Sequence, residues 1–241
     1  MKKKIALVTG ANKGIGKEIA RQSGELGYTV LVGSRDLARG EATAKELVAA
    51  GIDARAVQLE VTDERSTGAA AAAIEREHGQ LDVLVNNAAI IPEGDGPVSE
   101  ISADALRAGY ETNVVGLVLT TRAMLPLLRR ADDARIVNLS SELASLTRVG
   151  DPESRMSTVL TLAYNSSKAA VNMVTVMLAN ELRGTGILVN AADPGNCATD
   201  MGGWDAARTP SQGAAVAVRL ATLTPGGPTG ELHAESGRLP W

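Results

Sequence analysis

The chain has no phenylalanine and only two Trp and three Tyr among its 241 residues. Its core therefore cannot rest on aromatic packing and must be built from Ala, Val, Leu, Ile and Met. The single cysteine, Cys197, excludes an internal disulfide. The two histidines, His78 and His233, have no ligand-type spacing to carboxylates or to Cys197, so no metal is expected. No apolar run approaches the roughly 20 residues that a bilayer demands, and no signal-peptide core is visible, since Ile5 to Val8 reads as a strand. Positive charge is not in excess either. A net charge of −4 and a pI near 5.3 leave no electrostatic footprint for nucleic acid. The Lys2-Lys3-Lys4 cluster reads as a solvated terminus. What remains, 44% hydrophobic and 22% charged, is an ordinary globular composition, and the expectation is a cytoplasmic protein with no membrane partner.

Short apolar runs alternate with longer helix-like stretches. Residues 4–8, 29–32, 54–59, 81–85, 135–139 and 187–191 read as strands. Residues 16–26, 37–50, 63–78, 103–130 and 164–183 read as helices. Such alternation predicts an α/β fold with a parallel sheet and helices on both faces. Right-handed crossovers make it doubly wound, with the ligand crevice at the carboxyl ends of the strands. No Gly, Pro or Ser linker divides residues 1–241, so one domain is expected. Two loops, 91–97 and 142–161, leave the carboxyl ends of the fourth and fifth strands. The stretch 224–230 reads as a turn before a short last strand.

The first strand meets the first helix in Thr9-Gly10-Ala11-Asn12-Lys13-Gly14-Ile15-Gly16. Glycines there let the backbone turn sharply and approach a ligand, and a helix N-terminus favours anionic phosphate. The spacing Gly-x-x-x-Gly-x-Gly differs from the common dinucleotide fingerprint, but its place after the first strand favours a phosphate cradle over plain strand-helix packing. After the second strand comes Gly33-Ser34-Arg35-Asp36. Ser34 leaves no acid at the position that would bind the 2′-hydroxyl of NAD, while Arg35 and Lys13 offer two cations for a 2′-phosphate. Asp36 reads as the N-cap of the next helix. The cofactor favoured is NADP(H).

Farther along lies Tyr164-Asn-Ser-Ser-Lys168, which puts phenol and ammonium one helical turn apart on one face. A free phenol titrates near about 10, and a cation beside it favours the phenolate. Alone, such a pair is usually an ordinary helix surface. The glycine turn upstream and Ser140-Ser141 at a strand end give it weight as acid-base machinery.

With these pieces in order, the chain resembles the short-chain dehydrogenase/reductase family over nearly its whole length, and within it the NADPH-dependent carbonyl reductases. Gly10, Asn12, Lys13, Gly14, Ile15 and Gly16 match the family's cofactor loop. Asn86-Asn87-Ala88-Ala89 resembles its Asn-Asn-Ala-Gly segment, and Asn113, Ser141, Tyr164 and Lys168 match its catalytic residues. Pro194-Gly195-Asn196-Cys197-Ala198-Thr199-Asp200-Met201 resembles the segment beside the nicotinamide. The resemblance implies a Rossmann-type fold and hydride transfer between nicotinamide and a small-molecule carbonyl substrate. Tyr164 would give a proton to the developing alkoxide and Ser141 would hydrogen-bond the same oxygen. Lys168 would lower the Tyr164 pKa and hold the nicotinamide ribose, and Asn113 would anchor a water leading to solvent. Cofactor contacts are then expected from the glycine loop, Arg35, Glu60, Val61, Asn87, Ala88, Tyr164, Lys168, Pro194, Gly195, Cys197 and Thr199.

Rival readings stay open. Ser140 competes with Ser141, although adjacent strand residues face opposite ways. Asn113 could be a buried amide satisfying a helix irregularity, and Cys197 reads as an apolar filler rather than a nucleophile. Reduction of an activated C=C bond on the same scaffold, or a non-catalytic NADP(H)-binding regulator, are the alternative functions. Ala89 replaces the family's glycine, Glu60 stands where Asp or Asn is frequent, and Asn196 replaces a frequent aromatic that Trp204 could supply. The polar stretch 143–161 reads as a substrate-side lid. Met124, Met173 and Met177 read as core or subunit contacts. A homo-oligomer, dimer or tetramer, is mildly favoured over a monomer.

Overall fold

The computed structural model describes residues 3–241, so Lys2 lies outside the described residues. Eight strands form one sheet: β1 (Ile5–Thr9), β2 (Thr29–Ser34), β3 (Ala54–Gln58), β4 (Val83–Asn86), β5 (Arg135–Leu139), β6 (Leu188–Ala192), β7 (Leu232–Ala234) and β8 (Gly237–Leu239). Their spatial order is β3-β2-β1-β4-β5-β6-β7-β8. All neighbours are parallel except the closing β7–β8 pair. The order reverses between β1 and β4, which opens a crevice there at the carboxyl ends of the strands. This is a doubly wound Rossmann-type sheet.

Central strands are apolar on both sides because both faces are covered. In β1, Ala6 and Val8 enter one core cluster with Ile19, Ala44, Ala214 and Ala217. Ile5 and Leu7 enter the other, with Ile74, Met124, Leu127 and Leu178. Helices α1 (Gly14–Glu25), α2 (Leu37–Ala49) and α8 (Pro210–Ala221) thus cover one face. The opposite face carries α3 (Glu64–His78), α5 (Gly116–Leu128) and α7 (Leu162–Glu181), with α4 (Ala103–Tyr110) packed against α7. No helix among the described residues is long and apolar enough to cross a membrane.

Four expectations need correction. The helix foreseen over 103–130 is interrupted by a π turn, Glu111–Val115, between α4 and α5. The polar stretch after β5 is not a plain loop. It holds 3₁₀ turns at Glu142–Ala144 and Arg155–Thr158 around a short helix α6 (Leu146–Gly150), and Thr147 N and Oγ1 both donate to the carbonyl oxygen of Trp241, at 3.2 and 2.8 Å. The short last strand is a β7–β8 hairpin. Helix α8 was not foreseen, although Thr209 and Gln212 form a complete capping box around Pro210. Met124 is core, whereas Met173 and Met177 lie on the surface.

Candidate active site

The glycine turn after β1 is shaped by close approach. Gly10 and Gly14 have φ of +62° and +55°, the left-handed region that disfavours side chains. A Cβ on Gly16 would lie 2.5 Å from both Asn87 Nδ2 and the Gly10 carbonyl oxygen. Thr9 and Asn87 lock the turn. Thr9 Oγ1 accepts from the backbone N–H groups of Asn87 and Ala88, and Asn87 Nδ2 donates to the Thr9 carbonyl at 2.8 Å. Asn12 accepts at its carbonyl from Thr43 Oγ1, and Ile15 packs on the core. Helix α1 begins without a side-chain cap and without an acidic residue in its first turn. By contrast Asp36, Asp63, Ser102 and Thr209 cap their own helices, α2, α3, α4 and α8. An uncapped helix start above a glycine cradle fits a pyrophosphate.

At the end of β2, Ser34 is buried and donates to the Asp36 carbonyl oxygen, and Asp36 caps α2 as expected. Arg35 is exposed with no ion pair among the described residues. Lys13 is not free. Its Nζ lies 2.6 Å from Asp200 Oδ2, while the Thr199 methyl lies 3.4 Å from the point where a Gly14 Cβ would sit. The β6–α8 loop therefore reaches over the glycine turn. Glu60 accepts from Thr62 N and Oγ1, and the Val61 side chain is core, pressed against Gly116. Pro194 and Gly195 follow β6, and the Cys197 thiol is buried against Gly213 with its pKa pushed up by burial. Trp204 is exposed.

The serine ambiguity is resolved by the end of β5. Ser140 turns inward and donates to Asn172 Oδ1 at 2.6 Å, while Ser141 hydrogen-bonds the Tyr164 hydroxyl. Ser141 Oγ also accepts from Leu143 N at 3.2 Å. Lys168 is buried, donates from Nζ to the Leu139 carbonyl at 2.6 Å, and lies 5.7 Å from the Tyr164 ring centroid. Burial pushes the phenol up to about 12, the Asp193 carboxylate adds to this, and the Ser141 hydrogen bond opposes it. Burial brings Lys168 down to about 8. Lys168, turned toward the Leu139 carbonyl, is not among the groups that move the phenol; burial sets the direction.

Asn113 occupies the π turn, and its side chain is fully used. Oδ1 accepts from Ile90 N at 2.8 Å, and Nδ2 donates to the Ile90 carbonyl at 2.9 Å and to Ser167 Oγ at 3.0 Å. It ties the end of β4 to α7. Two carboxylates escaped the sequence reading. Asp193, just past β6, is buried and accepts from the backbone N–H groups of Gly195 and Glu142, bridging the loops after β6 and β5. Asp95, in the β4–α4 loop, reaches the start of α7. Neither stands in a motif, and an Asp preceding Pro-Gly was the sole available signal for the first.

Residues 4–208 match the family model for short chain dehydrogenases. The chain belongs to that family of oxidoreductases. It is 36% identical to the short-chain dehydrogenase anuI of Penicillium roqueforti, covering 91% of this chain and 89% of the relative. It is 34% identical to carbonyl reductase [NADPH] 1 of Sus scrofa, covering 99% and 94% respectively. The NADPH-bound carbonyl reductase from chicken fatty liver superposes with a TM-score of 0.87 at 27% identity, over 100% of both chains.

Proposed function

We propose that this chain is an NADPH-dependent reductase of ketones or aldehydes, reversible as an alcohol dehydrogenase. The observation that carries the reading is the convergence of Ser141, Tyr164 and Lys168, after β5, on the same side of the sheet's carboxyl ends as the glycine turn after β1. The likeness to carbonyl reductases using NADPH supports it. Bound NADPH supplies the hydride. The rest of the chemistry belongs to the side chains. Ser141 Oγ and the Tyr164 hydroxyl together hold the substrate carbonyl oxygen. As negative charge develops there, Tyr164 transfers its proton to the oxygen, completing the alcohol, and is reprotonated from solvent. Burial raises the phenol pKa, so the group stays protonated at neutral pH, which suits a proton donor. Lys168 would hold the nicotinamide ribose.

The cofactor would be held by Gly10, Asn12, Lys13, Gly14, Ile15 and Gly16 at the phosphates and Arg35 at the 2′-phosphate. Glu60, Val61, Asn87 and Ala88 would line the adenine and central portion, and Pro194, Gly195, Cys197 and Thr199 the nicotinamide end. A single domain is our reading of residues 1–241, supported by the one continuous sheet. A homo-oligomer is the assembly we favour, since a second copy would cover exposed Met173 and Met177.

Replacing Tyr164 by Phe tests the proton donor. NADPH oxidation with carbonyl substrate should fall by about a hundredfold or more, with NADPH affinity retained. Retained turnover would refute the assignment.

A further inference from the structure

The first three backbone N–H groups of α7 are all satisfied by a distant loop. Leu162 N donates to the Gly96 carbonyl oxygen at 3.0 Å, Ala163 N to Asp95 Oδ1 at 2.8 Å, and Tyr164 N to Asp95 Oδ2 at 2.9 Å. Thr161, at the N-cap, supplies no side-chain cap, and its hydroxyl donates to Asn165 Oδ1 instead. Helices α2, α3, α4 and α8 are capped by the residue that precedes them, whereas α7 is capped by a carboxylate 68 residues away. That carboxylate is itself held in place. Asp95 Oδ1 also accepts from Gly96 N at 2.9 Å, and Asp95 N donates to the Pro92 carbonyl at 3.2 Å. An anion is well placed at this end of a helix dipole.

The capped helix carries both Tyr164 and Lys168, and one of the two carboxylate bonds ends on the backbone of Tyr164 itself. The same loop follows β4, whose end supplies Asn87 and Ala88 to the glycine cradle. We propose that Asp95 is a positioning residue for the reaction: its bidentate cap sets the depth and rotation of Tyr164 relative to Ser141 and couples them to the loop 91–97. This rests on the reading of Tyr164 as proton donor. Reacting groups tolerate little displacement, and an error of about 1 Å can lower a rate about a hundredfold.

The test separates helix capping from positioning. Asp95→Ala is compared with the double variant Asp95→Ala/Thr161→Asp, which gives α7 a local cap. Melting temperature, NADPH affinity by fluorescence titration, and kcat and KM with benzaldehyde and cyclohexanone are measured on each. Asp95→Ala should lower kcat by about thirtyfold to a hundredfold while NADPH affinity changes less than about twofold. The double variant should recover melting temperature and leave kcat low. Recovery of kcat in step with melting temperature would reduce Asp95 to a stabilising cap and overturn the proposal, as would a kcat for Asp95→Ala near that of the parent. If Asp95→Ala does not fold, Asp95→Asn serves: its Oδ1 still accepts from Ala163 N, but its amide nitrogen cannot accept from Tyr164 N, so kcat should again fall alone. Retained turnover in Tyr164→Phe would instead sink the proton-donor reading, and this proposal with it.

Discussion

Replacing Arg35 by Ala should weaken NADPH binding by about 2 kcal/mol and leave NADH binding unchanged. Arg35 is exposed and unpaired among the described residues, so its removal breaks no internal contact. On our proposal, what would be lost is its interaction with the 2′-phosphate. Hydrogen bonds to charged groups contribute about 1.5–3 kcal/mol, and solvent screening at an exposed site favours the lower part of that range. At about 1.4 kcal/mol per factor of ten, the dissociation constant should rise roughly thirtyfold. Lys13 makes a useful contrast. It is already paired with Asp200, with side chains 62% and 56% exposed, so phosphate binding must compete with that pair. An exposed pair contributes about 0–1 kcal/mol, and Lys13→Ala should therefore cost less than Arg35→Ala. Fluorescence titrations with both nucleotides, repeated at raised ionic strength, supply the assay. The NADPH advantage should shrink with salt, and Arg35→Asp should carry preference further toward NADH. Equal losses for NADPH and NADH in Arg35→Ala, or no loss for either, would refute the assignment of Arg35 to the 2′-phosphate.

Two other substitutions probe the site's scaffold. Asn113→Ala removes three hydrogen bonds at a residue only 1% exposed and strands the Ile90 N–H and carbonyl. At about 1–3 kcal/mol for each stranded group, the melting temperature should drop by roughly 10 °C, and a drop within error would show that Ile90 finds other partners. Asp193→Asn removes the negative charge that, second to burial, holds the Tyr164 phenol protonated. The phenol pKa should fall, so the rise of alcohol oxidation with pH should set in at lower pH than in the parent; pH profiles of the two proteins check this, and coincident profiles would refute it.

Local chemistry was legible in the residues because it depends on near neighbours. The six apolar runs became β1 to β6, the glycine turn sits where strand meets helix, and Asp36 caps α2. Tyr164 and Lys168 share a helix face because a spacing of four requires it. Helix α8 was also written locally, in Thr209-Pro210-Ser211-Gln212. Its large apolar residues, Val216, Val218 and Leu220, alternate as a strand's would, and the rest of its buried face is small: Gly213, Ala214, Ala217 and Ala221.

What the sequence determined by itself was the alternation of elements, the cofactor turn and the Tyr-Lys pair, all set by dihedral preference and periodicity. Tertiary structure decided how those groups behave. It turned Ser140 toward Asn172 and Ser141 toward Tyr164, and engaged Lys13 with Asp200. It also buried the phenol, which raises its pKa, and turned Lys168 toward the Leu139 carbonyl. Asp95 reaches α7 across 68 residues. Burial and contacts between distant segments have no periodicity to read, so desolvation and long-range capping emerge only when the chain closes on itself.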